Sequence, residues 1–158
     1  MTINEEQLLQ ARVAWGNGMI TISKAYDESG ITRARVIANR FLDNFYGFDL
    51  GLVLFKPTLS GGSQTFRPTK EGALSYFVGH DPKYPSDNGF GIQSWHEVKS
   101  ETCATFFDGD VAMWMGWVTL IGRDGHSVTV DKSWGYKKLK NGDLKIILHH
   151  SSLPYNSG

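Results

Sequence analysis

The segment Ile146-Ile147-Leu148-His149-His150-Ser151-Ser152-Leu153-Pro154 sets two imidazoles and two hydroxyls behind a short apolar run. On a strand, successive side chains face opposite ways, so His149 and Ser151 share one face while His150 and Ser152 share the other. The adjacent histidines therefore cannot both serve one metal or one substrate. His149 and Ser151, roughly 7 Å apart along such a strand, offer a proton acceptor and a hydrogen-bond donor to a small oxyanion.

The remaining chemistry-bearing groups are sparser. Histidines stand at positions 80, 96, 126, 149 and 150, and none forms the i, i+2 or i, i+4 pair that puts two ligands on one face. No Cys-x-x-Cys exists, so no closed zinc site is encoded locally, and a site built from distant residues stays open. Cys103 is the lone cysteine and reads as a buried thiol; it excludes an intrachain disulfide and leaves the compartment undecided. Gly61-Gly62-Ser63 lacks the lysine of a phosphate loop and reads as a plain turn. Arg67 reads as an ion-pair partner, and Lys137, Lys138 and Lys140 as solvating charges around a hairpin. Thr58 and Tyr76 are hydroxyls in apolar surroundings, as a pocket wall would require. Asp131 is the acidic side chain that an isomerase or dehydratase chemistry would draw on.

The elements that must position these groups follow from periodicity. Asn4-Glu5-Glu6-Gln7 resembles a capping box, and Leu8, Ala11, Trp15, Met19, Ile22 and Tyr26 follow at helical spacing. A second helix carries Ala34, Ile37, Phe41 and Phe45 and stops at Gly47, with about four residues between the two. Leu52–Phe55 is a short apolar strand, Thr69 caps a third helix, and 79–91 is an irregular loop. Asp108-Gly109, Asp124-Gly125 and Asn141-Gly142 are hairpin turns of an antiparallel meander with long strands, hence a bent sheet. Val111–Ile121 is apolar on both faces, which calls for helices on one side and a second subunit on the other. The expected fold class is α+β: N-terminal helices packed on a curved antiparallel sheet, as one domain over 1–158.

Composition narrows the function further. Sixteen Lys+Arg balance sixteen Asp+Glu, which argues against nucleic acid or an anionic membrane as partner. No apolar run approaches the ~20 residues of a membrane span, and no charged-then-apolar leader opens the chain. A trimmed leader would leave no trace, so localisation stays unknown. Aromatic residues make up 13%, enough to line a cavity as well as fill a core.

This layout resembles the nuclear transport factor 2-like cone, and the tail from Phe107 to Pro154 is similar to the association domain of calcium/calmodulin-dependent protein kinase II. More specifically, Leu54-Phe55-Lys56-Pro57-Thr58, Thr65-Phe66-Arg67-Pro68-Thr69, Gly72-Ala73-Leu74-Ser75-Tyr76-Phe77-Val78-Gly79 and the His-His-Ser-Ser-Leu-Pro ending resemble the iota-class carbonic anhydrases. That resemblance implies reversible hydration of carbon dioxide to bicarbonate, a lyase activity. It implies Thr58, Tyr76, His149 and Ser151 as the catalytic and substrate-binding residues. Some iota-class members are described with manganese or zinc and others as metal-free; the missing local ligands put this chain with the latter, with no cofactor. Without a metal, water must be deprotonated as it attacks; His149 is the candidate acceptor, Tyr76 is a candidate relay, and which group is the base stays open at this point. Trp134 stands where the kinase domain's pocket carries an arginine, which disfavours that domain's small-acid binding. The alternative function is a non-catalytic oligomerisation or small-ligand-binding module. The expected partners are carbon dioxide/bicarbonate and a second copy of the chain.

Overall fold

The structure, a computed structural model, describes residues 2–157. Helix α1 (Glu5–Ser29) opens with the capping box: Gln7 N–H donates to the Asn4 side chain at 2.9 Å, and Asn4 N–H donates to the Gln7 side chain at 3.1 Å. Its buried stripe is Leu8, Arg12, Trp15, Met19 and Ile22, one turn apart as a core-facing helix requires. Helix α2 (Ile31–Phe45) buries Ala34, Ala38, Phe41 and Leu42.

The linker between the helices is shorter than the expected four residues. Gly30 alone ends α1 and begins α2: its N–H donates to Tyr26 O, and its carbonyl accepts from Ala34. Its φ of 81° is a left-handed backbone that glycine adopts at no steric cost. Gly18 weakens α1 by roughly 1 kcal/mol relative to alanine, but a Cβ there would lie 2.6 Å from the Phe41 ring. Its absence lets the two helices close on each other.

Strand β1 (Leu54–Lys56) starts two residues later and ends one residue later than Leu52–Phe55 suggests; before it, Val53 is buried and its N–H donates to Pro68 O. Helix α3 (Lys70–Val78) starts at Thr69, whose hydroxyl accepts from Gly72 N–H. The 79–94 segment is irregular apart from a single 3-10 turn over Phe90–Ile92. It is fastened by Arg67, which forms a buried two-pronged ion pair with Asp87 at 2.7 and 2.8 Å, while Ser75 donates to the same carboxylate.

The meander follows as β2 (Trp95–Asp108), β3 (Val111–Gly122), β4 (Ser127–Lys138) and β5 (Leu144–Ser152), turning at the three expected Gly-containing pairs. Strand order is β1-β5-β4-β3-β2, antiparallel except for β1 against β5. Bulges between Thr102 and Ala104 in β2, and at Ile147 in β5 opposite Gly135 and Tyr136, add local bend. On β3, Ala112, Trp114, Gly116, Val118 and Leu120 are buried under the helices, while Met113, Met115 and Trp117 are exposed on the outer face. Trp15, Trp114, Trp134, Tyr46, Tyr136 and Phe77 are among the largest fully buried side chains, so the core is largely aromatic.

Two residues lie elsewhere than their sequence context suggests. Cys103 is exposed, not buried: it is the extra residue of the β2 bulge, which takes it out of the pairing register. Asp131 pairs across from Trp117 on the outer face, one residue out of phase with buried Lys132, so it supplies no acid to the interior. The buried Asp87 carboxylate is already taken up by Arg67 and Ser75.

Candidate active site

Thr58, Tyr76, His149 and Ser151 are all buried on the inner side of the sheet. Strand alternation accounts for the last two, and His150 is exposed on the outer face. Thr58 follows β1, the parallel neighbour of β5, and β1 is clamped to the end of β5 by Lys56 Nζ donating to Ser151 O at 2.9 Å. The Thr58 and Ser151 hydroxyl oxygens are 2.6 Å apart. From α3, the Tyr76 phenol oxygen accepts from Leu59 N–H at 3.2 Å and also meets the Thr58 side chain. Tyr76, Thr58 and Ser151 thus form a line of three hydroxyls.

Burial raises the Tyr76 phenol well above its ordinary range, so it stays protonated at neutral pH. Phe55 separates Tyr76 from the imidazole, with its ring 4.6 Å from that of His149. Trp134 and Trp15 close the other sides at 5.4 and 6.1 Å. On its outer side Tyr76 lines a cavity of about 300 Å³, together with Leu59, Phe90, Trp95 and Val128.

A second relay fixes the state of His149. Trp15 Nε1–H donates to the Tyr46 phenol oxygen at 3.1 Å, and that oxygen lies 2.7 Å from His149 Nδ1. Having accepted from Trp15, the phenol satisfies its own proton only by donating it to Nδ1, since Tyr46 has no other acceptor among the described residues. Nδ1 is therefore the acceptor nitrogen, and Nε2 carries the hydrogen. Burial, and the nearby Lys132 and His150 charges, hold the imidazole well below its ordinary pKa. His149 is thus a neutral donor through Nε2–H. In this tautomer its one acceptor nitrogen, Nδ1, is engaged by Tyr46.

Lys132 completes the surroundings. It pairs across from Ser151 in the β4–β5 register, beside the Trp134–His149 pair, and is only 4% exposed. Its ammonium nitrogen lies 4.3 Å from the Trp15 ring centre and 4.8 Å from that of Trp134. Among the described residues it makes no hydrogen bond or ion pair. Contact with aromatic faces contributes about 2 kcal/mol, against several kcal/mol for taking an ammonium out of water. Desolvation wins, and burial pulls the Lys132 pKa down to about 7.

Neither Lys132 nor Tyr46 is singled out by sequence motif. The signal for Lys132 lies in Val130-x-Lys132-x-Trp134-x-Tyr136, where a lysine sits in the apolar phase of a strand. Tyr46 carries no comparable signal, since it lies between a helix and a loop. Among the described residues no group of three or more His, Cys, Asp or Glu side chains is placed to hold a metal ion.

The interior thus gathers hydrogen-bond donors among aromatic rings, a chemistry suited to a small anion. The family model of the metal-independent carbonic anhydrases matches residues 6–153. This chain belongs to that family. A metal-independent carbonic anhydrase of Nostoc sp. (strain PCC 7120 / SAG 25.82 / UTEX 2576) is 45% identical over 153 residues, covering 97% of this chain and 75% of the relative. The crystal structure of a cyanobacterial iota-carbonic anhydrase complexed with bicarbonate superposes with a TM-score of 0.97 at 44% identity, over 99% of this chain and 95% of that one. A nuclear transport factor 2-like protein from Streptomyces avermitilis, 13% identical, matches with a TM-score of 0.57 over 96% of both chains, which shows the shared fold alone. The metal-independent carbonic anhydrase is thus built on the nuclear transport factor 2-like cone, with helices on the inner face of the sheet.

Proposed function

We propose that Thr58, Tyr76, His149 and Ser151 form the site at which this carbonic anhydrase hydrates carbon dioxide reversibly and holds bicarbonate, the whole of 1–158 acting as one domain. The observation that carries the reading is the hydroxyl line Tyr76–Thr58–Ser151 beside the His149 Nε2–H donor. Three hydroxyls with two contacts between them keep one O–H free at an end of the line. The line can also run in either direction, because each hydroxyl both donates and accepts.

Carbon dioxide is apolar, and the Phe55, Trp15 and Trp134 rings suit it. As water attacks its carbon, negative charge grows on the carbon dioxide oxygens. The free hydroxyl and His149 Nε2–H are the donors that meet that charge, in a region where water does not screen them. The family and the donor chemistry both support metal independence: zinc needs three or four nitrogen, sulfur or oxygen ligands, and here one imidazole stands among hydroxyls with its Nδ1 already engaged. Removal of one transition-state hydrogen bond sets the test. Tyr76→Phe and Ser151→Ala should each lower stopped-flow carbon dioxide hydration about 10-fold or more; unchanged rates in both would move the site elsewhere.

We also infer a homodimer through the outer face of the sheet. Met113, Met115 and Trp117 are exposed there beside Phe106, and an apolar sheet face of this kind calls for a self-complementary partner.

A further inference from the structure

We propose that Lys132 is a further catalytic residue of this reaction: its amine takes the proton that water gives up on attacking carbon dioxide, and the ammonium so formed holds the bicarbonate until it leaves. The proposal rests on the reading that the chamber at Thr58, Tyr76, His149 and Ser151 is the site. Three observations lead to it.

First, hydration of carbon dioxide yields an anion and a proton, and the other candidates in the chamber cannot take that proton. His149 has its acceptor nitrogen occupied by Tyr46. Tyr76 is a protonated phenol, and the buried Asp87 carboxylate is already held by the two-pronged Arg67 ion pair and by Ser75. Second, Lys132 lies directly across from Ser151, one end of the hydroxyl line, so their side chains rise side by side from neighbouring strands. Third, Lys132 is a buried amine with no acceptor and no counter-charge among the described residues. The elements packed around it present Trp15 and Arg12 from α1, Gly116 and Val118 from β3, and His149 and Ser151 from β5. Apart from the neutral imidazole of His149, the ionisable group among these is the Arg12 guanidinium, which rests on Trp114. An anion is what such a setting lacks, and bicarbonate supplies it.

The step balances. A lone pair of water forms the new C–O bond, one C=O π pair moves onto its oxygen, and one O–H bond of the water breaks with its electrons left on oxygen. The proton goes to the Lys132 amine, directly or along the hydroxyls, so neutral amine, water and carbon dioxide become ammonium and bicarbonate. Loss of the ammonium proton to solvent restores the amine. In reverse the ammonium returns the proton, and water and carbon dioxide leave. With its pKa near 7, Lys132 can run both directions at neutral pH.

The experiment is stopped-flow carbon dioxide hydration between pH 6 and 9 on the wild-type enzyme, Lys132→Met, Lys132→Gln, Tyr76→Phe and Ser151→Ala, each checked for native near-ultraviolet circular dichroism. Methionine keeps the length of the stem and its aromatic contacts; glutamine serves if methionine disturbs folding. The expected result is a fall of about 100-fold or more for both Lys132 variants, the low end of general-base catalysis. The wild-type rise in rate through pH 7 should disappear with it. Rates within threefold of wild type would overturn the proposal, as would a lower rate that keeps the same rise, because another group would then be taking the proton. If Tyr76→Phe and Ser151→Ala lose activity while Lys132→Met does not, the site stands and the lysine's role falls. If none of them loses activity, the site reading itself fails, and the lysine's role with it.

Discussion

At the scale of single residues, the chamber is organised by which nitrogen and which oxygen are already spoken for. Tyr46 uses its proton on His149 Nδ1 and its lone pair on Trp15, so one phenol fixes the imidazole as a donor at Nε2. Lys132 is the counterpart, a side chain with no hydrogen-bond or ion-pair partner among the described residues. Its setting carries a cost to folding whose sign can be worked out. The folded-state pKa lies near 7 and the unfolded one near 10.5, so between those values the unfolded chain binds more protons and stability rises with pH. Below pH 7 the cost is present in full, about 3–5 kcal/mol. Lys132→Met should therefore stabilise the protein against urea by a few kcal/mol at pH 6, with the gain shrinking steadily toward pH 10. A gain that does not change with pH would mean that the lysine is not held in a neutralising environment. The pairing of His149 with Ser151 was legible from strand alternation alone. The donor role of His149 was not, because it depends on Tyr46, 103 positions away in sequence.

At the scale of elements, local signals wrote most of the frame. The capping box at Asn4, the Thr69 cap and the three Gly-containing hairpins stand where the residues suggest. The misses come from tertiary contacts that override local preference. Gly30 joins two helices with no linker because its left-handed φ reverses the chain in one residue. Strand β1 is shifted because it pairs in parallel with β5, a partner some 94 positions distant (Phe55 against His149), which no short-range pattern encodes. Cys103 is exposed by a bulge that only the β2–β3 register reveals. The outer face of β3 gives the prediction that belongs here. Met113 and Met115 lie on it one residue apart, exposed and aligned with Phe106 and Ala104. Met113→Glu with Met115→Glu should convert a dimer into a folded monomer by light scattering, with the chamber on the opposite face unaltered. A wild-type protein that is a strict monomer at micromolar concentration would remove the dimer.

At the scale of the whole molecule, the cone explains how hydration chemistry can proceed with no zinc-type ligand set among the described residues. Aromatic mass excludes water from the interior, and the sheet delivers donors on alternating positions of β4 and β5. Bulk water has a pKa of about 15.7, and zinc brings bound water to about 7. The proposed site meets the same problem by placing a proton acceptor and oxyanion donors around the reacting atoms in place of a metal hydroxide. The central claim is that the side chains of this chamber suffice. Its most direct test is stopped-flow carbon dioxide hydration after exhaustive chelation, with the metal content of the same sample measured by elemental analysis. The account predicts full activity at well under one metal per chain. Activity lost on chelation and restored by adding back zinc or manganese, at about one ion per chain, would contradict it.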